Sequence, residues 1–240
     1  MNAVNIPILM YHSIENASKE TVMRGMHVPP KRFKFQMWLL KLLGYKGLSM
    51  RDLKPYLSGK KTGKVVGITF DDGYRNNLEN AAPILNKYGF GATCYIVSDC
   101  LGMSNVWDLK KGIDQKPLMS EAQVREWLSN GLDIGGHTKT HADLSVADNN
   151  VSLQEIEQCR HDLERKFNID IVDFCYPFGR YNKNTLEIVN KAGYQTATTM
   201  IRGSTQLVNN PLELKRIPVT HHTLPHLFLV KLLTNYENRR

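Results

Sequence analysis

A single α/β domain built on parallel strands is the fold class this sequence predicts, and three observations predict it. Strand-like and helical segments alternate along all 240 residues, the order that parallel sheets and barrels require. Apolar residues make up 42% and charged residues 22%, enough apolar material for one sizeable core. The polar clusters (His12, Asp71-Asp72, His137 with His141, and "PFGRY") each fall just after a predicted strand. In barrels of this kind, chemistry gathers on the loops at the C-terminal strand ends. No repeat, low-complexity tract or Pro/Ser-rich linker divides the chain, so residues 1–240 are read as one domain.

The segment "IPILMY" (6–11) is the first predicted strand. "PPKRFKFQMWLLKLLGY" follows as a helix, with Pro30 in its first turn and Gly44 just past its end. Its Phe33, Met37, Leu40 and Leu43 share one face. A short helix from Ser49 precedes strand "KVVGITF" (64–70). A helix from Asn77 to Tyr88 stops at Gly89, and strand "GATCYIV" (91–97) follows. After a loop bearing Trp107, Ser120 and Gln123 form a capping-box pattern for the next helix. "LDIGGH" (132–137) is a short strand, and Ser152 with Glu155 repeats the capping box for a helix to about Phe167. Strand "IVDFCY", a helix from Asn184 to Ala192, strands "YQTATTM" and "LKRIPV", and a helix from Pro225 complete the reading. Trp38 and Trp127, in amphipathic helices, are expected in the core. His27, His161 and His226 lack motif context and are expected at the surface.

Thirty-one basic against 23 acidic residues give a net charge of +8, with modest clusters at Lys60-Lys61 and Arg239-Arg240. That balance suits an anionic partner or simply a solvated basic surface. No zinc-finger spacing, RNP-like motif or basic recognition helix accompanies it, so nucleic acid is not the expected partner. The N-terminal stretch shows no cationic leader, and no run reaches the ~18 apolar residues of a membrane span. Cys94, Cys100, Cys159 and Cys175 show no CxxC spacing and read as reduced, mostly buried thiols of a cytoplasmic protein. The stretch "LPHLFLVKLLTNYENRR" brings Leu224, Leu227, Phe228, Lys231 and Leu232 near one another ahead of a cationic tail. It either docks on the barrel as the last helix or lies partly on the inner membrane surface.

Two adjacent carboxylates at the end of a buried strand, Asp71 and Asp72, are costly unless a cation or a proton answers them. His137 and His141 in "HTKTH" are spaced i, i+4, and one helical turn would set both imidazoles on the same side. Two imidazoles and one carboxylate make a catalytic zinc set with positions left open for water.

In this order and spacing, "TFDDG" (69–73), "HTKTH" (137–141) and "YPFGRYN" (176–182) resemble three motifs of the NodB-type polysaccharide deacetylases, carbohydrate esterase family four. The resemblance runs from Ile8 to about Val219. It implies a distorted (β/α) barrel of about seven strands that removes acetyl groups from N-acetylated sugars. It also implies one divalent ion, zinc first, with cobalt or nickel as alternatives. The matching positions are Asp72, His137 and His141 as metal ligands, Asp71 as general base and the Phe178 N–H as oxyanion donor.

The sequence departs from the family pattern twice. The family's late-strand L-x-H is absent, since "LKRIPV" holds no His; His12 of "ILMYHSI" instead resembles the N-terminal acid of the branch containing poly-N-acetylglucosamine deacetylases. His221 and His222 compete for that role. The Arg that many members carry ahead of the third motif falls here at Cys175 or Tyr176, with Arg180 the nearby substitute as tether or substrate contact. Tyr176, Phe178, Gly179, Arg180 and the stacking platform Trp107 are the candidate substrate contacts. The expected substrate is an N-acetylhexosamine glycan, glycolipid or sugar nucleotide, such as an intermediate of lipopolysaccharide assembly. A competing reading of another class is a catalytically silent glycan-binding module on the same barrel.

Overall fold

The computed structural model describes residues 5–206 and 210–239; Arg240 of the C-terminal basic pair lies outside them. Strands β1 (Asn5–Ile6) and β2 (Ile8–Tyr11) come first, then α1 (Pro30–Leu42), β3 (Lys46–Leu48), α2 (Met50–Leu57) and β4 (Val65–Phe70). Next come α3 (Ala82–Tyr88), β5 (Thr93–Ile96), α4 (Glu121–Ser129) and β6 (Asp133–Gly136). A continuous helical run follows, α5 (Asn149–Leu153), a π-helical turn (Gln154–Gln158) and α6 (Cys159–Phe167). Then β7 (Asp173–Cys175), α7 (Lys183–Lys191), β8 (Thr196–Arg202), β9 (Thr205–Gln206), β10 (Leu214–Pro218) and α8 (Pro225–Leu233) complete the order.

Seven parallel strands close on themselves in the order β2-β10-β8-β7-β6-β5-β4, with β4 returning to β2. The closing registers are Leu9 on Ile217 and Ile8 to Tyr11 on Gly67 to Phe70. This is the expected (β/α) barrel, and its seven strands are the seven read from the sequence. Short β3, which also pairs with β4, and the antiparallel β1–β9 pair were not.

Alternate residues face two different clusters, because side chains switch sides at every step of a strand. Leu9, Tyr11, Ile68, Phe70, Cys94 and Phe174 face outward under the helices, where Phe70 meets Trp127 edge-on at 5.8 Å. Ile8, Tyr95, Cys175 and Leu214 face the barrel axis with Met50 and Leu53 of α2. Burial on both faces explains why these strands read as unbroken apolar runs. By the same parity, Thr69, Asp71 and Arg216 point inward.

Local chemistry sets most helix ends. Ser120 and Gln123 form the expected capping box, and Gly44 and Gly89 take the left-handed conformation that stops α1 and α3. The cap at α5 differs from expectation. Asp148, not Ser152, accepts the Val151 N–H at 2.9 Å, and Glu155 is free for another task. Trp127 is fully buried, but Trp38 is 44% exposed. The face of α1 that packs inward is Phe33, Met37 and Leu40, and Trp38 lies opposite. His27 is buried rather than at the surface, with Nδ1 2.9 Å from Ser13 Oγ and 3.1 Å from Glu15 Oε1. All four cysteines are buried free thiols. Phe228 and Leu232 of α8 are buried, and Lys231 Nζ donates to the Pro218 carbonyl at 2.8 Å. The last helix is therefore docked. No helix among the described residues is long and apolar enough to cross a membrane.

Candidate active site

Strand β4 delivers Asp71 and Asp72 to the C-terminal end of the barrel, both 3% exposed. Alternation alone would send them to opposite faces. The backbone of Asp72 is left-handed, φ 75°, and Gly73 follows at φ 76°, so the turn brings both carboxylates to one site. Arg216, inward-facing on β10, grips Asp71 with a two-pronged contact of 2.6 Å to Oδ1 and 2.7 Å to Oδ2. Its remaining donors reach the Thr199 carbonyl, Thr69 Oγ1 and Cys175 Sγ. Burial pushes the Asp71 carboxyl up, and the Arg216 guanidinium outweighs it, holding the group below the ordinary aspartate value.

The segment from His137 to His141 is a loop, not the helical turn that its spacing suggests. Thr138 (φ 63°) and His141 (φ 65°) are both left-handed, and Thr138 Oγ1 accepts the His141 N–H at 3.0 Å. Glu155, on the π-helical turn, accepts the N–H groups of Lys139 (2.8 Å) and Thr140 (2.9 Å) and the Thr140 hydroxyl (2.7 Å). One buried carboxylate thus shapes the loop that carries both imidazoles.

Asp72, His137 and His141 offer ligand atoms within 4.8 Å of one another. His137 Nδ1 donates to the Cys175 carbonyl at 2.8 Å, which leaves Nε2 with its lone pair. That nitrogen lies 3.3 Å from Asp72 Oδ1, and His141 Nε2 lies 3.2 Å from the same oxygen. Acceptors facing one another in a buried site need a cation between them, so the donor set fits a divalent ion. His141 is sandwiched by aromatics, Trp107 stacked at 4.3 Å and Phe178 edge-on at 4.6 Å.

His12, at the end of β2, has Nε2 3.9 Å from Asp71 Oδ2. Three asparagines after the Asp pair hold its loop. Asn77 Nδ2 donates to the His12 carbonyl at 2.7 Å, Asn76 Nδ2 to Ser13 Oγ, and Asn80 Nδ2 to the Ile14 carbonyl. His221 instead turns its Nδ1 to the His27 carbonyl, and His222 is exposed.

A cavity of about 440 Å³ opens over these groups. His12, Asp71, Asp72, Trp107, His137 and His141 line it, as do Tyr176 and Phe178; Gly179, Arg180, His221 and His222 do not. Phe178 is left-handed at φ 57°, and among the described residues nothing bonds its N–H. Gly179 sits where an added Cβ would be 2.5 Å from Met200 Cβ, so only glycine lets this turn close on β8. Arg180 pairs with Asp143 at 2.6 Å, and the tether on Asp71 comes from Arg216.

Arg216, Glu155, the three asparagines, buried Asp108 and the cavity methionines Met10, Met23, Met26 and Met200 had no part in the site expected from the sequence. Arg216 left a signal, a guanidinium at an inward-facing position of the strand "LKRIPV".

Residues 58–197 match the polysaccharide deacetylase family. The protein YxkH of Bacillus subtilis is 31% identical over 217 residues, 90% of this chain and 71% of that one. The poly-beta-1,6-N-acetyl-D-glucosamine N-deacetylase of Staphylococcus epidermidis is 26% identical over 204 residues, 81% of this chain and 68% of that one. Among solved structures, the Streptococcus pyogenes deacetylase PplD, in complex with acetate, superposes with a TM-score of 0.83 at 30% identity. That match covers 96% of this chain and 99% of PplD. With sequence, barrel and relatives in agreement over most of its length, the chain belongs to the polysaccharide deacetylase family, a group of amide-hydrolysing carbohydrate esterases.

Proposed function

We propose that this protein is a divalent-metal-dependent N-deacetylase acting on N-acetylhexosamine in a cell-surface glycan or in its lipid- or nucleotide-linked precursor. The observation that carries the reading is the juxtaposition of a metal-type donor set with a second carboxylate tethered by its own arginine. A glycan-binding module has no use for a buried Asp71–Arg216 pair, whose burial costs several kcal/mol of desolvation per ion.

Asp72, His137 and His141 would hold the ion, zinc being well matched to two imidazoles and a carboxylate, with cobalt or nickel accepted by the same donors. Bound there, a divalent ion supplies Lewis acidity towards the acetamide carbonyl and the attacking water. Asp71, kept ionised and aimed by Arg216, takes the water's proton as general base. His12, lining the cavity beside Asp71, gives a proton to the departing amine. The N–H of Phe178, unbonded among the described residues, would donate to the developing oxyanion. Trp107, Tyr176 and Phe178 offer ring surface to the sugar. Four buried free thiols accord with a reducing compartment, and so with a precursor on the cytoplasmic side.

The test is acetate release by purified protein supplied with zinc or cobalt, across N-acetylhexosamine polymers, glycolipids and sugar nucleotides. No release from any of them overturns the proposal. Asp71→Asn should abolish turnover with metal retained, and Asp72→Asn should lose both. Equal metal loss in the two variants would remove the distinction drawn between them.

A further inference from the structure

The outer face of α1 is unlike that of an ordinary surface helix. Its exposed residues after Pro30 are Lys31, Lys34, Phe35, Trp38, Lys41 and Leu42, lysines and apolar side chains with no acid among them. Phe35 and Trp38 lie ring to ring at 5.2 Å. Helix α8 packs beside α1, with Arg32 of α1 donating to the His221 carbonyl ahead of it, and it too contains no acidic residue. Its outward side adds Leu224, Val230 and Leu233, so six large apolar side chains, each 39–65% exposed, lie on two neighbouring helices. Apolar residues scattered singly on a surface need no explanation, but a grouped set framed by lysines does.

Charge narrows the occupant. A two-fold contact between copies would bring together two faces that carry lysines and no acid, which disfavours self-association. Tryptophan and phenylalanine at the level of a lysine fringe match the boundary between acyl chains and anionic headgroups. Position agrees as well. Gly25 and Met26, on the segment leading into α1, and Val219 and Thr220, on the segment leading into α8, line the cavity, so both helices follow directly from its wall.

We propose that the outer faces of α1 and α8 form a docking surface for an anionic lipid bilayer, which seats the cavity mouth beside the headgroups. The inference does not depend on the catalytic reading, because none of the six apolar side chains lines the cavity.

Full-length protein is mixed with vesicles of phosphatidylglycerol in phosphatidylcholine, or of phosphatidylcholine alone, and sedimented. Binding to the anionic vesicles only is the expected result. Lys31→Ala with Lys34→Ala should lower partitioning by roughly thirtyfold, each lysine near an anionic surface being worth about a factor of five. Phe35→Ser with Trp38→Ser should abolish it, while lipids brominated in their acyl chains should quench wild-type emission but not that of Trp38→Phe. Acetate release from a soluble substrate should be unchanged in all these variants. No binding, equal binding to both vesicles, binding that survives the substitutions, or a concentration-dependent dimer built on this face would each overturn the proposal.

Discussion

Arg216 makes five hydrogen bonds from inside a barrel strand, two of them to one carboxylate. Replacing it with methionine leaves burial as the main influence on Asp71, and burial raises a carboxyl pKa. The wild-type group is held low, so it is ionised well below neutrality. In Arg216→Met, kcat should fall by roughly a hundredfold, the acidic limb of the kcat/KM profile should move to higher pH, and metal content should be unchanged. Arg216→Lys should recover part of the rate, since it restores the charge without the fork. An unshifted acidic limb would show that Arg216 does not govern Asp71. At this scale the candidate metal-ligand set was legible, because Asp72, His137 and His141 stand in recognisable short motifs. The tether was not, because it comes from 145 residues beyond Asp71, and proximity in sequence pointed to Arg180. Nor were the left-handed backbones of Asp72, His141 and Phe178, since only a few per cent of non-glycine residues take that region.

At the level of elements, position is transmitted by a helix that never touches the cavity. Glu155 sits on the π-helical turn between α5 and α6, and its carboxylate collects three donors from the loop between the imidazoles. π-Helical turns often accompany functional sites, and here the turn aims a side chain. Glu155→Gln keeps the shape but halves the acceptors. Competition with a chelator should show metal affinity about tenfold weaker, as for other groups that orient ligands, with far-UV circular dichroism unchanged. Unaltered affinity would mean that the loop holds its own shape. The Ser152 and Glu155 pair was legible as a pattern and misread as a cap, because Asp148 four residues earlier already satisfies the helix start. All seven barrel strands were legible, the clearest from apolar runs such as "IPILMY" and "GATCYIV". Three-residue β3, "KGL", was not, being too short for any pattern.

For the molecule as a whole, the two ends of the barrel do opposite electrostatic work. Asp173 opens β7 at the end away from the cavity, 1% exposed, and accepts the Thr196 hydroxyl at 2.5 Å. Burial raises its carboxyl from 3.8 to about 6. A carboxyl raised on folding leaves stability intact below its unfolded pKa and lowers it as pH rises through the folded value. Between pH 3.8 and about 6 the cost therefore grows, reaching about 3 kcal/mol above that window. Asp173→Asn should raise Tm at pH 8 and leave it unchanged at pH 3.5, as scanning calorimetry would show. A lower Tm at pH 8 would mean that the charge is structurally required. The barrel closes by joining β10 to β2, and β10 also carries Arg216. A growing polypeptide has all three proposed ion-binding side chains by residue 141, yet it has neither a sealed ring nor the arginine that anchors Asp71 until β10, ending at residue 218, has left the ribosome. On the proposed reading, hydrolytic competence thus comes late in synthesis, and a product ending before β10 would lack the guanidinium that anchors Asp71.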